Sequence, residues 1–77
     1  MLKLGHSEID GAGLRKLAVL KKVEKLGLEC CPRVDDAALR ELAAWKTLKY
    51  LDVQETKTTP AGVAALEAEL PGIQILS

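Results

Sequence analysis

The sequence predicts an α/β chain built as a short solenoid: three repeated units and a final strand, with parallel strands on the concave face and helices on the convex face. Three observations carry this. Apolar pairs recur at near-constant intervals, since Leu2, Leu26 and Leu51 lie 24 and 25 residues apart and Leu4, Leu28 and Val53 follow the same steps. Each unit opens with the two-residue alternation of a strand and continues with the three- and four-residue spacing of an amphipathic helix. A unit this small cannot bury an apolar face alone, so neighbours must stack and share one core.

Written as lines of one pattern, the units are LKLGHSEIDGAGLRKLAVLKKV, LGLECCPRVDDAALRELAAWKTL and LDVQETKTTPAGVAALEAEL. In the first, Leu2 and Leu4 mark a strand, a polar bend follows, and Asp10 stands where it can cap a helix carrying Leu14, Leu17 and Leu20. The second repeats this with Leu26 and Leu28, a bend at Cys30 and Cys31, a cap at Asp35, and helical positions Leu39, Leu42 and Trp45. The third has Leu51 and Val53, a cap at Thr59, Pro60 at the first helical position, then Val63, Leu66 and Leu70 before Pro71 stops the helix. Ile73 and Ile75 begin a fourth strand. Strands of about three to five residues and helices of about nine to twelve fit these spacings.

At 77 residues the chain has room for one small domain, residues 1–77, which buries roughly 60% of its unfolded surface. Eleven basic and eleven acidic side chains give no net charge, and the pI is near 6.6. The electrostatic footprint of a nucleic-acid binder is therefore missing, and no nucleic-acid partner is expected. No apolar run approaches the length that spans a bilayer, and MLKLGHSEID has neither a signal-peptide core nor a basic amphipathic presequence, so no direct membrane insertion is expected. Adjacent cysteines close only a strained, minimal ring, which favours free thiols in an intracellular, reducing compartment, cytoplasm or organelle matrix. Met1 to Leu4 begin inside a strand with an open edge. That edge is expected to serve self-association or an assembly contact, with the chain either the C-terminal part of a longer protein or a subunit of an assembly.

Val23 to Cys31 reads V-x-x-L-x-L-x-x-C and Leu48 to Thr56 reads L-x-x-L-x-V-x-x-T, which resembles the leucine-rich repeat consensus with Cys or Asn at its ninth place. CCPRVDDAALREL is similar to the C-P-x-[IV]-[TD]-D-x-x-L-x-x-L stretch of the cysteine-containing, ribonuclease-inhibitor-like subclass. TKTTPAGVAALEAELPGIQIL resembles the last repeat of many bacterial and organellar members. The chain departs from the pattern at Thr58, where the other units have Ile9 and Val34, and at Ser7, where the consensus has Cys or Asn. The resemblance implies a binding surface for another protein. The short length is also similar to small mitochondrial leucine-rich-repeat proteins of the ATP synthase coupling factor B and complex I distal-arm assembly factor type. That likeness implies an alternative role as a structural or assembly subunit of a larger, membrane-associated complex.

Ser7, Cys31 and Thr56 occupy one place in three successive units and are expected to form a structural ladder, each donating to backbone carbonyls left free by the bend. Cys30 points the other way, toward solvent. His6 and Cys30 fall at neighbouring bends, but a zinc site needs four ligands, so no metal is expected and a thiol- or metal-dependent function at Cys30, Cys31 and His6 is the lesser alternative. Asp35 and Asp36 read as a helix start, where negative charge suits the helix dipole. No nucleophile turn or phosphate-cradling loop is present, so neither an enzyme nor a cofactor is expected. Strand alternation turns Lys3, Lys25, Glu29, Tyr50, Asp52, Gln54 and Gln74 outward, with Gly5 and Gly27 among them, as the partner-binding face. Lys25, Tyr50 and Asp52 are expected side by side, with the only tyrosine in the middle. Arg15, Lys16, Lys22, Arg40, Glu41, Lys46 and Glu67 read as the solvated back.

Overall fold

The computed structural model describes residues 1–19 and 22–77. Among them the elements alternate as β1 (Leu2–Lys3), α1 (Gly11–Leu17), β2 (Lys25–Gly27), α2 (Asp36–Leu42), β3 (Tyr50–Asp52), α3 (Pro60–Glu69) and β4 (Gln74–Leu76). The strands form one parallel sheet in the order β1-β2-β3-β4. Leu2 lies beside Leu26, Leu26 beside Leu51 and Leu51 beside Ile75, so the interval legible in the sequence is the register of the sheet. The helices stack in the same order, α1 on α2 and α2 on α3. Leu20, placed on the first helix by its spacing, lies outside the described residues.

Each helix starts at the residue whose side chain can hold its first turn. Asp10 accepts the Gly13 N–H at 3.0 Å, Asp35 the Ala38 N–H at 2.9 Å, and Thr59 the Gly62 N–H at 3.3 Å, all three from extended backbone. Helices α1 and α2 span 7 residues each, shorter than the spacing suggested, whereas α3 spans 10. The first two tighten early: the Ala18 N–H donates to Arg15 and the Ala43 N–H to Arg40, three residues back. Trp45 and Leu70 keep their apolar positions but stand beyond their helices. The strands are also shorter than expected, 2 or 3 residues. A left-handed residue ends the extended run in each unit: His6 (φ 59), Cys30 (φ 60) and Glu55 (φ 59). The bends stack through the backbone, with the His6 N–H donating to Glu29 and the Cys30 N–H to Gln54, both at 2.9 Å.

The core lies between the layers. Leu26, Leu28, Cys31, Val34 and Leu51 are fully buried, and Leu14, Leu39, Leu42 and Leu66 join them in one cluster. Positions that are sealed in the middle units open at the ends of the stack, where Leu2, Leu4, Ile9 and Ile75 are half-buried. A side chain in this fold is buried by the units on both sides of it. Leu26→Ala is therefore expected to destabilise the chain by about 2–5 kcal/mol and Leu2→Ala by clearly less, roughly 1–2 kcal/mol, in urea denaturation; equal losses would contradict that dependence on neighbours.

Two side-chain ties join successive helices. Arg15 and Glu41 pair across α1 and α2 at 3.0 Å. Asp36, in the first turn of α2, accepts the Thr59 N–H at 2.8 Å on one oxygen and the Thr59 hydroxyl at 2.6 Å on the other, so one helix start holds the next. Gly62 follows from this, because a Cβ there would meet the Asp36 carboxylate. The Thr59 hydroxyl and then its N–H hold Asp36 below its ordinary pKa, and the Arg15 hydrogen bond does the same for Glu41. A carboxylate whose folded pKa is depressed stabilises the fold above its unfolded pKa and loses that contribution as pH falls through the folded value. Thermal melting from neutral pH to about pH 2 should therefore show an acid-side drop that is smaller in Asp36→Asn; an identical drop would remove Asp36 as a contributor.

Candidate functional site

The bends and the open sheet face hold the polar side chains singled out in the sequence. Ser7 Oγ donates to the Leu4 carbonyl at 2.7 Å and Thr56 Oγ1 to the Val53 carbonyl at 2.7 Å. Cys31 reaches across to the preceding unit, donating to the same Leu4 carbonyl at 3.1 Å, with Ser7 Oγ 3.7 Å from its sulfur. The Cys31 thiol is thus enclosed and has a backbone partner. Thr58 makes physical sense beside Thr56: its hydroxyl lies 2.9 Å from Thr56 Oγ1, so a hydroxyl pair replaces the aliphatic contact of the other units. Cys30 is half-buried at its left-handed bend, and His6 is exposed. Among the described residues no group of three His, Cys, Asp or Glu side chains could hold a metal ion.

The sheet turns one face away from the helices, and the register orders its side chains in rows. Lys25, Tyr50 and Gln74 form one row, and Lys3, Gly27, Asp52 and Leu76 the next. Lys3, Lys25, Gln54 and Gln74 are exposed, while Glu29, Tyr50 and Asp52 are half-buried. Tyr50 is therefore flanked by Lys25 and Gln74; Asp52 sits one row further along the same strand, not directly beside Lys25. Its carboxylate accepts the Gln54 N–H at 3.0 Å, which fixes its direction. Gly27 is buried and Gly5 half-buried, contrary to the open positions that alternation gave them. The cause is Glu29, whose side chain folds back over both glycines, helped at Gly27 by the Met1 side chain; a Cβ at Gly5 would meet the Glu29 carboxylate.

Two features were missed by pattern reading. At the far edge of the face Leu76 is 43% exposed, opposite Met1 at 62% on the open β1 edge that the sequence marks. Leu76 was within reach of the pattern, because the row through Lys3 and Asp52 continues to it. On the other layer a groove of about 490 Å³ lies between α2 and α3, with Arg40, Ala61, Ala65 and Leu66 among its lining residues. No helix among the described residues is long and apolar enough to cross a membrane.

No protein-family model and no curated protein matches the chain. Among solved structures it is similar to a chain in the structure of Chaetomium Mex67:Mtr2 subunits, with a TM-score of 0.79 and 19% identity, over 96% of this chain and 54% of that one. The likeness supports a small α/β fold with a four-stranded parallel sheet, and this chain spans about half the length of its neighbour.

The bend geometry separates the two thiols. Cys31→Ala removes a buried donor and leaves a small void, with an expected loss of about 1–3 kcal/mol, whereas Cys30→Ala should change stability by under about 0.5 kcal/mol. Chemical denaturation of both variants checks this, and a larger loss at Cys30 would reverse the assignment.

Proposed function

We propose that the chain is a protein-interaction module of the cysteine-containing leucine-rich-repeat class, a short solenoid that binds a protein partner through its sheet face and catalyses no reaction. The repeat assignment draws on the 24- and 25-residue intervals that sequence and sheet register share, and on the donor at the ninth place of each unit. The neighbour of similar fold is described among the subunits Mex67 and Mtr2, and a protein partner is what we propose for this chain.

The observation that carries the binding reading is the row Lys25, Tyr50, Gln74 on the uncovered side of the sheet, with Tyr50 central. A half-buried tyrosine among polar neighbours offers a rigid ring with a polar tip, the kind of anchor that concentrates binding energy at interfaces. Glu29 and Asp52 add acidic groups above it, and Met1 and Leu76 add apolar edges. A second reading, a structural or assembly subunit with a permanent partner, is favoured by the half-buried Leu2, Leu4 and Ile9 on β1 and the segment after it, which an adjoining chain would close. A thiol function is disfavoured by the enclosure of Cys31 against the Leu4 carbonyl.

A photoreactive residue at Gln74 should cross-link one defined protein, whereas the same residue at Glu67 on the helix layer should not. Tyr50→Ala should weaken that partner at least roughly 10-fold, and Tyr50→Ala with Asp52→Lys should abolish capture while the chain still melts cooperatively. Undiminished capture by the double variant would remove the sheet face as the site.

A further inference from the structure

The two helix seams are built from equivalent positions and closed differently. In the first, the Arg15 guanidinium makes two parallel hydrogen bonds to the Glu41 carboxylate, both 3.0 Å. One unit further on, 25 residues from Arg15 and 24 from Glu41, stand Arg40 and Ala65. The cation is kept and its acid is replaced by a methyl group. Among the described residues the Arg40 guanidinium has no hydrogen-bond or ion-pair partner; the charge that acts with it is Asp36, whose two oxygens are both occupied by Thr59.

The place left by that missing acid is a groove. It has a volume of about 490 Å³ between α2 and α3, with Arg40 on one wall, Ala61 and Ala65 on the other, and Leu66 at its base. Glu69 lines the same groove one helical turn beyond Ala65. The order of available charges along it is therefore cation then anion, and the wall between them is alanine-sized.

We propose that the groove between α2 and α3 docks a helix of a partner protein that sets a carboxylate against Arg40 and, one turn on, a basic side chain against Glu69. The Arg15–Glu41 pair shows the geometry the first contact takes, a two-pronged carboxylate clamp. A helix is the fitting occupant because two neighbouring helices present a furrow that a third helix fills with its side-chain ridges. Small side chains on the docking face match Ala61 and Ala65. Exposed ion pairs contribute little by themselves, so they set register and direction while apolar contact with the groove supplies most of the affinity. This surface is separate from the sheet face around Tyr50, and the two fail or stand independently.

The probe is an acetylated, amidated, alanine-based helical peptide carrying Glu and Lys four residues apart on one face. In a low-salt NMR titration of the full chain, saturable shifts are expected at Arg40, Ala61, Ala65 and Leu66, and none at Tyr50. Arg40→Glu should weaken binding at least about 10-fold, and a peptide with its Glu changed to Lys should recover that loss. Ala65→Glu supplies Arg40 with its own acid, as Glu41 does for Arg15, so it should raise the melting temperature and eliminate the shifts. Absence of saturable shifts at millimolar peptide, binding indifferent to Arg40→Glu, or full binding by a folded Ala65→Glu chain would each overturn the proposal.

Discussion

The parallel register that sets Leu2 beside Leu26, Leu51 and Ile75 governs the rest of the molecule. It offsets each strand from the next by one unit, so every position in a unit faces its own equivalent in the neighbours. An apolar residue at such a position becomes part of a continuous column. With strands of two or three residues and two helices of 7, no single unit holds enough apolar area to overcome its conformational entropy; stability comes from the columns. The graded burial along them, half-buried at Leu2, sealed at Leu26 and Leu51, half-buried again at Ile75, is the direct expression of that dependence.

The same stacking lets strained or polar features persist. A non-glycine residue in the left-handed region is uncommon, yet His6, Cys30 and Glu55 all adopt it at one place in the unit. Each bend is supported by its neighbour: the backbone of one donates to the next, Ser7 and Thr56 donate to carbonyls of their own units, and Cys31 donates to a carbonyl of the unit before it. A change at one position is answered at an adjacent one. Thr58 breaks the aliphatic column of Ile9 and Val34, and the Thr56 hydroxyl turns toward it. Likewise the Asp36 carboxylate both begins α2 and ties down Thr59, which requires glycine at position 62.

The features legible in the sequence are those that depend on period and cap chemistry. Intervals of 24 and 25 residues gave the sheet order, and Asp10, Asp35 and Thr59 gave helix starts that the structure places one residue before α1, α2 and α3. Helix ends were less visible, because α1 and α2 stop at tight turns through Ala18 and Ala43 and carry no glycine or proline to announce it. Within the candidate face, alternation gave the right side of the sheet but not the shape of its surface. Whether Glu29 extends into solvent or folds onto Gly5 and Gly27 depends on the space those two glycines leave, which belongs to two different strands. The α2–α3 groove escaped for a similar reason: it arises from a comparison of Glu41 with Ala65 across units, and neither residue is unusual within its own helix.

The placement of the two aromatic residues bears on what the sheet face is for. Trp45 occupies a core column and is 4% exposed, so its ring serves the fold. Tyr50 stands on the opposite side of the sheet from that core, and among the described residues its hydroxyl has no hydrogen-bond partner. Its ring rests between Lys25 and Gln74 on a face that no helix covers. A position of this kind on a half-buried strand is served equally well, for stability, by valine or threonine. The fold therefore has no use for the phenol that a smaller β-former would not meet, and the chemistry left over at Tyr50, a ring face and a free hydroxyl between a cation and an amide, is what the proposed binding role would use.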